Sequence, residues 1–187
     1  VSIQEGTLNL TGWEIEGRWG KLTIPQGIEN YNPQVRPLPL KDILVRNNER
    51  IYIASAASPL ILKNYNFRVN RCMGYLKTTY DFSIVPISDN CPKPKEITFP
   101  SDMKEDCKDY ILDLSACARA NSQELKDLDL YNDTVCNNYI ETKLNYNGCY
   151  LTYKWDNDFF EQKWHIYTDR MEKEIMDINK DTVYLRD

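Results

Sequence analysis

The chain of 187 residues lacks several features that would assign it to a familiar class of protein. It contains no run of lysine and arginine residues, and its formal net charge is −5. Nucleic-acid binders concentrate basic residues on one face, so the sequence argues against nucleic acid as a partner. No apolar stretch approaches the roughly 20 residues that cross a bilayer, so we predict no membrane span in this chain.

Histidine is almost absent. His165 is the single histidine and lies in "KWHIYT", on a predicted strand. A Ser-His-Asp or Cys-His site would have to use it, and no nucleophilic partner is evident if the cysteines are oxidised. Two of the 28 Asp and Glu residues could form a hydrolytic pair, but solvated surface charge is the simpler interpretation. We therefore predict a protein that is not an enzyme, with no catalytic residues and no cofactor.

Closely spaced cysteine pairs are also missing. The six cysteines contain no C-x-x-C pair, which disfavours a structural metal site and favours disulfides over free thiols. Disulfides form in oxidising compartments, so we predict an extracellular or cell-surface protein. The predicted disulfide residues are Cys72, Cys91, Cys107, Cys117, Cys136 and Cys149.

Two predicted helices surround four of these cysteines. "SDMKEDCKDYILDLSACARA" has helical spacing of apolar residues, and "NDTVCNNYIETKLNYNGC" is capped at its start and stopped by a turn at Asn147-Gly148. The sequence therefore predicts a helical hairpin over 101–149. Ten helical residues rise about 15 Å, which is too far for a bond between Cys107 and Cys117. Antiparallel helices favour the pairs Cys107–Cys149 and Cys117–Cys136, which leaves Cys72–Cys91.

The rest of the chain has the composition of strands. Strand-like segments punctuated by glycine, proline and asparagine occupy residues 1 to about 60, and more are predicted in "NFRVNRCMGYL", "DFSIVPI", "EITF", "CYLTYKW", "KWHIYT" and "DTVYLRD". A chain of this length fits one domain. We predict a single, mainly β domain over 1–187, with the helical hairpin as an insertion. The chain begins at Val1 without methionine, so we expect it to be processed or part of a longer protein.

Three segments carry a family resemblance. "LNLTGWEIEGRWGKLTIPQG", "NNERIYIASAAS" and "INKDTVYLRD" resemble, in order, the opening hairpin, the next strand and the closing segment of lamin tail domains. The resemblance implies an immunoglobulin-like β-sandwich. Nuclear members of this family bind chromatin and other proteins, whereas bacterial members look like accessory modules on secreted or surface proteins. The predicted disulfides and the acidic net charge suit the bacterial extracellular type.

Aromatic residues suggest a binding face. In "CYLTYKWDNDFFEQKWHIY", an exposed row of rings could stack against a sugar or a partner protein. The candidate binding residues are Tyr150, Tyr153, Trp155 and Trp164.

Two acidic loops could in principle hold calcium. They contain Asp127, Asp129, Asn132 and Asp133 in the first and Asp156, Asn157, Asp158 and Glu161 in the second. Neither has the glycine and distal glutamate of an EF-hand, so hydrated loops or helix caps are the preferred interpretation, and we predict no metal.

These observations favour a non-catalytic structural or interaction module that contacts another protein or assembles with itself. A carbohydrate-binding module is the alternative, with a glycan as its partner. If Asp187 ends the chain, the strand at Asp181 to Leu185 should present an open edge that can accept a strand from a partner or a second copy.

Overall fold

The chain folds into two compact units, each assembled from separate segments. The computed structural model describes residues 6–60, 65–94, 99–170, 175–177 and 181–187. The first unit comprises Val1–Asn70, Tyr80–Pro86 and Phe160–Asp187, and the second comprises Arg71–Thr79 and Ile87–Phe159. The chain has about 22% strand and 25% helix. Every described strand lies in the first unit and every described helix in the second, so "mainly β" applies to the first unit alone.

The first unit contains three small sheets. The strand orders are β1-β5, β3-β2-β9 and β4-β7-β8-β6. Pairing is antiparallel except for the parallel pairs β4–β7 and β6–β8. The strands are β1 (Thr7–Asn9), β2 (Glu14–Glu16), β3 (Lys21–Thr23), β4 (Gly27–Ile28), β5 (Leu44–Arg46), β6 (Arg50–Ala54), β7 (Asn66–Asn70), β8 (Phe160–Tyr167) and β9 (Tyr184–Arg186).

An apolar core joins strands of all three sheets. Side chains alternate between the two faces of a strand. On β2, Ile15 is buried while the glutamates on either side of it are partly exposed. On β8, Trp164 and Ile166 lie two residues apart and both point into this core. Partly buried Ile51 and Leu185 pack against the same cluster. Its buried members are Leu10, Ile15, Ile24, Ile43, Val45, Trp164 and Ile166. Several predicted strands thus form at the expected places and share a core.

The opposite face of β8 is aromatic. Phe67 of β7 contacts His165 and stacks on Tyr167, with ring centroids 5.4 and 5.8 Å away. Phe82 meets the edge of Phe67 at 6.3 Å, which places the chain around Phe82 on this face. The segment "DFSIVPI" contains Phe82. It is predicted from the sequence to be a strand but does not form one.

The second unit is helical. A 3-10 helix (Arg71–Thr78) is followed by α1 (Glu105–Asp113), α2 (Ser122–Asp127), α3 (Thr134–Lys143) and α4 (Tyr146–Tyr153). Side chains of Asp133 and Asn145 cap α3 and α4 by accepting hydrogen bonds from the amides of Cys136 and Gly148. The start of α3 is where the sequence predicts it. The core of the unit contains Met103, Cys107, Tyr110, Ile111, Leu125, Leu130, Cys136, Tyr139 and Leu144.

All six cysteines form disulfides, but the predicted pairing is wrong. The observed bonds are Cys72–Cys149, Cys91–Cys117 and Cys107–Cys136, with Cα atoms 5.7, 5.1 and 5.9 Å apart. The predicted pairing assumed two long helices. Instead, α1 ends at Asp113, so Cys117 lies outside it, and Asn145 starts a new helix that carries Cys149.

Other local predictions also change. "CYLTYKW", predicted as a strand, lies mostly in α4, because the Asn147-Gly148 pair sits inside a capped helix and does not end one. "NFRVNRCMGYL" is a strand only to Asn70 and continues as the 3-10 helix. Most of "EITF" lies outside the described residues. The second unit extends beyond the predicted hairpin 101–149 in both directions.

Candidate functional site: the groove beside strand β6

A groove in the first unit is the candidate functional site. Its volume is about 680 Å³, and it runs along β6, where Tyr52, Ile53 and Ala54 line it. Ile84 and Ile15 belong to the rest of its lining. The described lining is apolar or uncharged throughout, since it contains no Asp, Glu, Lys or Arg side chain.

Strand β6 lies at the edge of its sheet, with β8 as its partner among the described strands. Ala54 pairs with Tyr167, and the carbonyl of Ala54 accepts a hydrogen bond from the amide of Thr168 at 2.9 Å. In a parallel ladder the N–H and C=O of one residue point to the same side, and the side alternates along the strand. The backbone groups of Ile51 and Ile53 therefore point away from β8, to the open edge.

Large apolar side chains are exposed around this edge. Ile84 is 65% exposed and Ile53 is 45% exposed, and Val183, which also lines the groove, is 40% exposed. Single exposed apolar residues are normal on protein surfaces, but a cluster that lines one groove is characteristic of an interaction site.

A buried histidine lies behind the groove. The ring of Tyr52 meets the ring of His165 edge-on at 5.5 Å, and His165 is fully buried. Neither ring nitrogen of His165 has a hydrogen-bond partner among the described residues. Burial, followed by the positive charge of Lys163, lowers the pKa of His165 to about 4, although Glu161 opposes the shift. The imidazole is therefore neutral at neutral pH.

The four predicted aromatic binding residues are not brought together on an exposed face. Trp164 is 1% exposed in the first unit's core, and Tyr150 and Tyr153 are buried on the helix α4 of the second unit. Trp155 follows α4 and is 83% exposed, with the Lys154 ammonium 5.2 Å from its ring. The part of this segment that contains Tyr150 and Tyr153 is helical and not extended, and Trp164 lies on the separate strand β8. Carbohydrate binding stays a prediction, without this row of rings as its basis.

In the first acidic loop the structure gives Asp133 a structural role. Its side chain caps α3 and lies 3.1 Å from the Nζ of Lys104. These contacts, the backbone amide of Cys136 first, lower the pKa of Asp133.

Acids of the second loop also pair with cations. Asp158 pairs with Arg71, and Glu161 lies 2.6 Å from the Nζ of Lys163. No group of three or more His, Cys, Asp or Glu side chains among the described residues, including those of both loops, could hold a metal ion.

A second strand lies at the edge of its sheet among the described strands, near the edge that the sequence predicts at Asp181 to Leu185. The closing strand β9 lies at the end of its sheet, although it begins at Tyr184 and not at Asp181. Its surroundings are charged, since the Nε of Arg186 lies 2.6 Å from a carboxylate oxygen of Glu16. Charge on an edge discourages pairing with another chain, so β6 presents the more receptive edge.

Sequence reasoning missed the groove. It identified "RIYIASA" as a strand but had no means of placing that strand at an edge. The available signal was the uninterrupted apolar run Ile51–Ala54, which departs from the apolar and polar alternation of a strand with one solvated face.

Among the described residues, no helix is both long enough and apolar enough to cross a membrane.

Comparison with known proteins identified no relative of this chain. Searches of protein-family models, of curated proteins and of solved structures found no match to this chain.

Proposed function

We propose that this chain is a non-catalytic interaction module of an extracellular or cell-surface protein, and that it binds a partner protein through the groove beside β6. The observation that carries the proposal is the groove, whose described lining is apolar or uncharged and in which the large side chains of Ile84 and Ile53 are exposed to water. Burying such surface against a partner is the main favourable contribution to most protein association.

The three disulfides support the extracellular setting. All of them lie in the second unit, which consists of about 80 residues in short helices and irregular loops. Small units of this kind often depend on disulfides for their stability. The bond Cys107–Cys136 joins α1 to α3, and Cys72–Cys149 joins the 3-10 helix to α4. In the chain-entropy account, the loops closed by Cys91–Cys117 and Cys107–Cys136 contribute about 3.5 kcal/mol each, and the longer loop closed by Cys72–Cys149 contributes about 4.5 kcal/mol.

The proposal includes an immunoglobulin-like β-sandwich of the lamin tail type for the first unit. Its support is the resemblance of the opening, β6 and closing segments, together with a core to which strands of three sheets contribute. A non-catalytic role agrees with the environment of His165, the single histidine, which is buried among aromatic rings.

Site-specific photo-crosslinking tests the groove as the binding surface. A photoreactive amino acid replaces Ile84 in one preparation and Leu151 in another, and each is irradiated with material from the protein's natural source. Leu151 is the control because it is also a large exposed apolar residue, but lies on α4 in the second unit. We expect a discrete crosslinked protein from position 84 that disappears when Ile53→Glu is added to the same chain. Equal crosslinking from both positions, or a product that is insensitive to Ile53→Glu, contradicts the proposal.

Peptide mass spectrometry without reduction tests the compartment. Material from the natural source should yield three linked peptide pairs that match the observed disulfides. Free thiols at these positions in native material would argue against an oxidising compartment and remove the support for an extracellular role.

A further inference from the structure

We propose that the groove accepts an extended peptide segment of a partner protein, which pairs with β6 as an additional strand. This inference rests on the proposed function, because it specifies how the partner occupies the same groove. The strands of this sheet lie in the order β4, β7, β8, β6, and the bound segment would form a fifth strand beside β6.

The backbone of β6 supplies the first reason. The carbonyl of Ala54 faces β8, so the N–H and C=O groups of Ile51 and Ile53 point to the open edge of the sheet, where Ile53 lines the groove. These two residues are one strand repeat apart, and an extended peptide repeats its own donors and acceptors with the same period. An open edge of this kind is a template for strand addition, in which main-chain hydrogen bonds provide affinity.

The walls of the groove supply the second reason. The edge of β6 has apolar side chains on both faces of the sheet: Ile53 and Ile15 on the face of the main core, and Tyr52 on the face that contacts His165. Ile84 follows Phe82 along the chain and lines the groove as well. Successive side chains of an added strand point to opposite faces, so both sets of its side chains would meet apolar surface.

The uncharged lining defines the chemistry of the occupant. A charged side chain inside the groove would lose its hydration without gaining an ionic partner among the described lining residues. The bound segment should therefore contain consecutive uncharged, mainly apolar residues. A polar segment of a partner would gain the backbone hydrogen bonds alone.

The charge of the chain favours a peptide strand of a partner over a second copy. In a two-fold arrangement, β6 of one copy would have to approach β6 of the other. Both copies would carry the net charge of −5, which opposes self-association, whereas an uncharged peptide segment meets no such repulsion.

The test uses a synthetic peptide with an alternating valine and isoleucine core, lysines at both ends for solubility, and a fluorescent label. A second peptide has the same sequence but carries N-methyl groups on the alternate residues that would pair with Ile51 and Ile53. A third peptide keeps the lysines and replaces the core with serine and glycine, which controls for attraction to the chain's net charge of −5. Binding to the intact, oxidised protein is measured by fluorescence anisotropy.

We expect the first peptide to bind and the serine–glycine peptide to show no binding. The N-methylated peptide should bind at least roughly tenfold more weakly, because it loses backbone hydrogen bonds while it keeps its apolar side chains. Equal binding of the methylated and unmethylated peptides would overturn strand addition and would leave the groove as an apolar binding surface. Absence of binding by the unmethylated peptide at millimolar concentration would overturn the strand-addition inference as well.

Variants of the protein give an independent measurement. Ile53→Pro removes the outward amide of β6 but no donor to β8, so it should weaken binding by roughly tenfold or more if the strand pairs there. Ile84→Glu places a charge beside the groove and serves as the second variant in case proline disturbs folding. Leu151→Glu is the matched control on α4 and should bind like the unchanged protein. Unchanged binding by folded Ile53→Pro and Ile84→Glu would exclude the edge of β6 as the site.

The two proposals fail differently. If photo-crosslinking from position 84 succeeds while N-methylation has no effect, the interaction module stands and its partner uses side chains alone. If the peptide pairs with β6 but no partner is captured from the natural source, the edge is competent to bind a strand and the proposed function is wrong.

Discussion

Acid should destabilise this protein through His165. The residue is fully buried on β8 between aromatic rings, and its pKa in the folded state is lowered from 6.5 to about 4, chiefly by burial. In the unfolded chain the imidazole regains its ordinary pKa. Between these two values the unfolded state binds a proton that the folded state does not, so the free energy of unfolding decreases as the pH falls.

The magnitude follows from the two pKa values. Above the unfolded pKa of 6.5 both states are neutral, and the contribution to stability is fully present. At about pH 5 the difference in proton binding costs about 2 kcal/mol, and the full loss on reaching about pH 4 is about 3 kcal/mol. A loss of this size is a large part of the free energy of unfolding of an ordinary domain.

The assay compares three proteins by urea unfolding at neutral and mildly acidic pH. His165→Phe removes the titrating group and should remove about 2 kcal/mol of the pH dependence at about pH 5. Tyr167→Phe is the matched control, because Tyr167 is a neighbouring buried ring whose hydroxyl has no partner among the described residues and whose pKa is raised by burial. It should keep the pH dependence of the original protein.

Nuclear magnetic resonance gives the pKa directly, since the chain has one histidine and its ring signals need no further assignment. A midpoint of about 4 in the folded protein is expected. A midpoint near the ordinary value of 6.5, or the same pH dependence of unfolding in His165→Phe and in the original protein, would refute the reasoning.

Three further substitutions have expected effects on stability. Gly74→Ala would place a Cβ on the Sγ of Cys117, so it should cost about 1 to 3 kcal/mol through overpacking, measured by thermal unfolding. Arg68 and Glu49 form a buried ion pair in the first unit, so Arg68→Met alone should cost about 3 to 5 kcal/mol in urea unfolding. Adding Glu49→Gln should recover part of that loss, and a further loss instead would contradict the argument. Asp133→Ala removes the cap of α3 and should cost about 1 kcal/mol, seen as a lower urea midpoint; an unchanged midpoint would show that the cap is dispensable.

Local features of the fold were predictable where a short stretch of sequence determines them. The strand at "KWHIYT" and the cap at the start of α3 depend on neighbours within a few residues, and both are found where they were predicted. The oxidised state of all six cysteines also follows from their number and spacing. Each of these features depends on composition or on hydrogen bonds that a short segment makes with itself.

The disulfide pairing failed because it depends on where helices stop. The Asn147-Gly148 pair is a common stop signal, yet Asn145 accepts a hydrogen bond from the amide of Gly148 and so starts α4 at that point. Shifting one helix boundary moved Cys149 away from α1 and next to Cys72. A single local decision between capping and stopping thus changed a contact between residues 77 positions apart.

The groove was beyond sequence reasoning for a different reason. Strands β6 and β8 are separated by more than half the chain, and the helical unit lies between them in sequence. The apolar run Ile51–Ala54 is compatible with a strand buried on both faces or with one at an edge, and these alternatives have the same local preferences. What decides between them is that β6 pairs with β8 alone among the described strands, so that β6 is the last strand of the sheet. An edge is a property of the whole sheet, and its capacity to bind a partner strand therefore emerges only once the long-range pairing is known.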